Sequence, residues 1–81
     1  MNREEILIKL NRIFIEVFDD ENIKLNETMT PDDLEEWDSH MQIIIIGEIE
    51  YEFDIRFTSM DIPNLHSVKD FVDNIERLQK K

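Results

Sequence analysis

With 81 residues, this chain has room for one hydrophobic core and one domain, residues 1–81, but not for a deep enzymatic cleft. Twenty Asp and Glu against nine Lys and Arg give a formal net charge of −11, which excludes nucleic acid as a partner and steers the chain toward basic surfaces. The lack of cysteine excludes disulfides and thiolate metal sites, and one Gly with two Pro supply too little turn chemistry for a hairpin-rich β fold.

A hydrophobic fraction of 41% is enough to fold, so the reading is all-α. No long apolar region follows Met1 to Glu5, and the longest apolar run, Ile43 to Gly47, is far short of a membrane span. The expectation is a cytoplasmic monomer with no signal peptide and no membrane insertion.

Asn2 with Glu5 three residues later reads as a helix start. Ile6, Leu10, Ile13, Phe14, Val17 and Phe18 then recur at helical spacing and predict a first helix from Arg3 to Phe18. Asp19 to Asn22 end it and open a long loop to Trp37, with Ile23, Leu25, Met29 and Leu34 placed to pin the loop to the core. Within it, Thr30-Pro31-Asp32-Asp33 has the composition of a single capped turn. Trp37, the only tryptophan, fits a core or loop-anchoring role or a place sheltering the following serine.

A second helix is predicted over Ser39–Phe53, with Asp38 and Ser39 as cap types and Ile43, Ile46, Ile49 (or Glu50) and Phe53 on the core face, widened by Ile45. Gly47 costs about 1 kcal/mol relative to Ala in a helix interior. Asp54 stands where a left-handed cap would fall, and Ile55 to Phe57 form an extended link. Thr58 to Ile62 predict a brief third helix ended by Pro63. Ser67 and Asp70 open the last helix, whose stripe is Val68, Phe71, Val72, Ile75 and Leu78, with Lys80-Lys81 following its negative end. The predicted architecture is a small antiparallel four-helix bundle, three main helices plus one short one, with a long loop between helices one and two.

Three chemistries suggested by the residues fail, the first on geometry and the other two on residue pattern. Asp38-Ser39-His40 cannot be a catalytic triad, because adjacent helical residues point about 100° apart. The acids Asp32, Asp33, Glu35, Glu36 and Asp38 lack the glycine and terminal Glu of a calcium loop. His40 and His66 are too few to define a metal centre. On residue chemistry alone Ser39 is a capping serine at the positive end of a helix.

Asp38-Ser39, then Ile43, Ile45, Ile46 and Ile49, then Glu50-Tyr51-Glu52-Phe53-Asp54-Ile55, together resemble the acyl carrier protein family. In that family Asp-Ser-Leu opens helix two and a Glu-rich stretch leads into Phe-Gly-Ile; the closing Ser67-Val68-Lys69-Asp70-Phe71-Val72 is similar as well. The resemblance implies a non-enzyme. Ser39, flanked by Asp38, would take 4′-phosphopantetheine from coenzyme A through a phosphopantetheinyl transferase, and the arm would present a thioester to acyl-loading and acyl-using enzymes. It also implies that His40, Met41, Ile44, Gly47 and Glu48 meet those partners. Three departures stand out: His40 where Leu is usual, Asp54 where Gly is usual, and apolar Met41 and Ile44 where fatty-acid carriers commonly have acids. These imply a specialised member. Aminoacyl, peptidyl and D-alanyl carriers share the fold and the serine, and an unmodified helical adaptor would keep the fold alone.

Overall fold

Helix starts in this chain are built by short side chains that accept from the otherwise unpaired N–H groups of a first turn. The Asn2 carbonyl oxygen takes the Glu5 N–H at 2.8 Å and opens α1, Arg3–Phe18. Asp38 takes the Met41 N–H at 2.9 Å and opens α2, Ser39–Phe53. Ser67 takes the Asp70 N–H at 3.2 Å and opens α3, Val68–Gln79. These are the three α-helices of the computed structural model, which describes residues 2–80; no strand occurs among the described residues. Lys81, expected beyond the end of α3, lies outside them.

Two helices end on left-handed aspartates, Asp19 at φ 52° and Asp54 at φ 53°. This conformation costs most side chains energy, but Asp is more tolerant because its short polar group bonds locally. The expectation at Asp54 holds, and its neighbour Ile55 donates back to the Glu50 carbonyl at 3.2 Å.

α1 packs against both α2 and α3. It buries Ile6, Leu10, Ile13, Phe14 and Phe18; α3 contributes Val68, Phe71, Val72 and Ile75. On α2 the buried residues are Ile45, Ile46, Ile49 and Phe53, whereas Ile43, expected on that face, is 71% exposed. Gln42 takes the inward position instead because its amide has two partners inside, and successive residues lie about 100° apart, so Ile43 must turn away.

The loop is pinned as its scattered apolar residues imply. Ile23 is buried, while Leu25, Met29 and Leu34 pack against the core at part burial. Asn11 on α1 accepts the Leu25 N–H at 2.7 Å and donates to the Ile23 carbonyl at 3.3 Å. Further on, the carbonyls of Met29 and Glu27 accept from Val68 and Lys69 at 2.9 and 3.0 Å, so the loop satisfies the first turn of α3. Thr30 to Asp33 form the expected turn, a 3₁₀ element over Pro31–Asp33 with a reciprocal Thr30–Asp33 cap.

The expected short third helix is corrected. Thr58 to Asp61 are a turn closed by the Thr58 hydroxyl and Asp61 carboxylate, and the helical piece is a single 3₁₀ turn, Ile62–Asn64, with Pro63 inside it. Proline lacks only an N–H that a first turn leaves unpaired anyway, so it starts such a turn rather than ending one. Arg77 fastens this segment to α3 by binding Asp61 at 2.6 Å. Arg3 joins α1, loop and α3 through Glu27, Asp73 (2.7 Å) and Glu76 (3.2 Å).

Candidate functional site

At the start of α2, Asp38 caps the helix and Ser39 follows it as a helical residue. Asp38 makes the cap with both of its acceptors, the carboxylate on the Met41 N–H and the carbonyl on the Gln42 N–H, each at 2.9 Å. Ser39 is therefore the first helical residue and not the cap that its chemistry alone suggested. Its side chain is exposed, and the cap uses neither its own N–H nor that of His40. A hydroxyl at this place faces the positive end of α2, where an attached anion is favoured by typically 0.3–1 kcal/mol.

Trp37 takes the core-anchoring role of the two that its position allows. It is 3% exposed, stacks on Phe71 with centroids 6.2 Å apart, and meets Phe14 edge-on at 5.1 Å. Its indole N–H donates to the Gln42 amide oxygen at 2.6 Å, and the Gln42 amide nitrogen donates to the Leu65 carbonyl at 3.0 Å. This clasp ties the residue before the cap, the first turn of α2 and the segment before α3. Above it opens a cleft of about 340 Å³ lined by Pro31, Trp37, Asp38, Ser39, Gln42, Ile62, Pro63, Leu65 and His66.

Asp38 and Ser39 thus share the cleft, whereas His40, Met41, Ile44, Gly47 and Glu48 do not line it. Those five continue along α2, all exposed except half-buried Met41. A side chain at Gly47 would meet nothing within 4 Å, so no contact inside the chain requires glycine there. Ile43 and Tyr51, 71% and 86% exposed, extend the apolar part of this surface. Sequence reasoning missed Ile43, Gln42 and the Ile62–His66 wall of the cleft. The signal for Gln42 was available: it is the one polar residue leading directly into the isoleucine run.

The charge around the serine is one-sided. From Leu25 to Ile55 the sequence holds ten Asp or Glu residues and no Lys or Arg. On α3, Lys69 binds Asp73 at 2.7 Å and Arg77 binds Asp61 at 2.6 Å. The Thr58 backbone N–H, with Arg77, holds the Asp61 carboxyl below its ordinary range; Lys69 does the same for Asp73, aided by Arg3. No group of three or more His, Asp or Glu side chains suited to a metal occurs among the described residues. Nor is any of their helices long and apolar enough to cross a membrane.

No protein-family model and no curated protein matches the sequence. Solved structures do. The chain is similar to the holo acyl carrier protein of Geobacter metallireducens, determined by solution NMR, with a TM-score of 0.85 and 30% identity over 91% of this chain and 85% of that one. The crystal structure of the acyl carrier protein of Thermotoga maritima gives a TM-score of 0.85 and 25% identity over 99% and 93%. This chain belongs to the acyl carrier protein family.

Proposed function

We propose that the chain is an acyl carrier whose Ser39 hydroxyl, losing its proton, attacks the pyrophosphate of coenzyme A on a separate phosphopantetheinyl transferase, gaining the 4′-phosphopantetheine arm as a phosphodiester and releasing adenosine 3′,5′-bisphosphate. One observation carries this reading: Asp38 supplies the whole side-chain cap of α2, so Ser39 stands exposed at the first helical position with no structural task in the cap. The residues fit the group. A phosphodiester on Ser39 would lie at the positive end of α2, within reach of two N–H groups that the cap leaves unused.

When bound, the arm supplies a terminal thiol that holds an acyl group as a thioester, chemistry that a chain without cysteine cannot provide itself. The protein's part is to place the serine and keep it accessible. The Trp37–Gln42–Leu65 clasp fixes the α2 start against the core, and catalysis belongs to the partners. The name of the Geobacter protein, a holo acyl carrier protein, accords with such an arm.

Partner docking falls to the exposed face of α2. The family resemblance implies His40, Met41, Ile44, Gly47 and Glu48, and Ile43 belongs with them because it is more exposed than Ile44. Apolar side chains within an acidic field favour a partner whose groove is apolar and whose rim is basic. That combination supports a specialised carrier over a general fatty-acid one.

The test is intact mass after incubation with coenzyme A and a broad-specificity transferase. Wild type gains one phosphopantetheine and Ser39→Ala gains none. No gain on wild type removes the carrier reading; a gain on Ser39→Ala moves the attachment elsewhere.

A further inference from the structure

The cleft beside Ser39 contains a residue that neither capping nor docking uses. Among the residues lining it, His66 is the one basic side chain, and the remaining walls are largely apolar: Trp37, Ile62, Pro63 and Leu65. We propose that His66 is the positioning residue for a Ser39-bound arm, its imidazolium pairing with the phosphodiester from within the same cleft. The proposal rests on the reading of Ser39 as the attachment site.

Attachment would replace a neutral hydroxyl by a phosphodiester carrying one negative charge. It would do so beside Asp38, in a stretch with ten carboxylates and no Lys or Arg. The partial charge of a helix N-terminus, about half a unit, offsets this only in part. A nearby cation would complete the compensation; Lys69 and Arg77 of α3 do not line the cleft and are already bonded to Asp73 and Asp61.

His66 is suited by how its backbone is held. Its N–H donates to the Asp70 carboxylate at 2.8 Å, and the preceding carbonyl, of Leu65, is taken by Gln42 at 3.0 Å. The residue is thus anchored from α3 and from α2 while it stays exposed and lines the cleft. The charged groups around it are Asp38 at the cleft, Asp70 on α3 below, and Lys69 beside Asp70. A cationic ring there would hold the arm, and a neutral ring would release it.

The experiment is ³¹P NMR of the modified protein, prepared with coenzyme A and a transferase and verified by mass. A phosphodiester has no ionisation of its own between pH 5 and 8, so its resonance moves there only if a neighbour titrates against it. The expected result is a sigmoidal shift in wild type, retained in His40→Gln and flattened in His66→Gln. His66 is exposed, so His66→Gln should keep the wild-type melting temperature. A flat wild-type resonance, or a sigmoid that survives in His66→Gln, overturns the proposal. Absence of any mass gain overturns the attachment reading and this inference with it, whereas a normal gain with no titration overturns this inference alone.

Discussion

Asp38 and Ser39 are adjacent, small, polar and equally plausible as caps, yet the fold gives them different work. The Asp38 carboxylate accepts the Met41 N–H, while Ser39 is one residue too late to reach a first-turn donor as a cap. Asp38→Ala should therefore cost about 1 kcal/mol, the usual effect of losing a side-chain cap. In a domain of this size that lowers the melting temperature by about 4–8 °C. Ser39→Ala should leave stability within about 0.5 kcal/mol of wild type while abolishing modification. Thermal unfolding of the two variants separates the roles; a large loss for Ser39→Ala would mean that the serine, too, holds the helix. Asp38 and Ser39 were both legible as cap types, but which of them caps depended on where the backbone enters the helix.

At the scale of elements, α2 has one buried and one exposed face, and the proposed docking belongs to the second. Its inner face joins the core, and Gln42 closes the upper end of that face by pairing with Trp37 and Leu65. Gln42→Leu keeps the volume but strands a buried indole N–H and a carbonyl, an error worth about 1–3 kcal/mol. Urea denaturation followed through Trp37, the only tryptophan, measures it directly; an unchanged midpoint would show that the clasp is not stabilising. On the outer face, Ile43→Asp should leave the melting temperature nearly unchanged, since the side chain is 71% exposed. The same change should reduce kcat/KM of a cognate acyl-handling enzyme about tenfold, the effect of removing roughly 1.4 kcal/mol of apolar contact. Equal turnover of both proteins would place docking elsewhere. The isoleucine run hid this division, because periodicity alone fits Ile43 or Gln42 into the inward stripe, and only the partners awaiting the Gln42 amide select between them.

Over the whole molecule, the excess of acid sets the response to salt and pH. The stretch from Leu25 to Ile55 holds ten carboxylates and no Lys or Arg of its own, and although Arg3 pairs with Glu27 the others repel one another across distances that physiological salt screens within about 8 Å. Raising salt, or lowering pH from 7 toward 5, should raise the melting temperature. Further acidification acts oppositely. Asp61 and Asp73 have folded-state pKa values below the ordinary 3.8, so their contribution is present above that value and is lost as pH falls through the folded values. Stability should therefore pass through a maximum on the acid side of neutral and collapse below about pH 4. Calorimetry across pH 3–8 tests the shape; a monotonic fall from pH 7, with no response to salt, would show that the surface charges are already compensated.

The three helices, their limits and the left-handed Asp54 were determined by local chemistry: apolar spacing, short capping side chains and the absence of turn residues all act within a few positions along the chain. The family likeness was legible for the same reason, since Asp38-Ser39 and the aliphatic spacing after it are local patterns. What only tertiary structure decided depends on residues distant in sequence. The turn at Ile62–Asn64 is held by Arg77 from α3, and Gln42 faces inward because Trp37 and Leu65 receive it. Long-range pairing of polar groups likewise placed His66, 27 positions after Ser39, in the same cleft. A single sequence carries no spacing rule for such meetings; they follow from which buried donors and acceptors must be satisfied once the helices have packed.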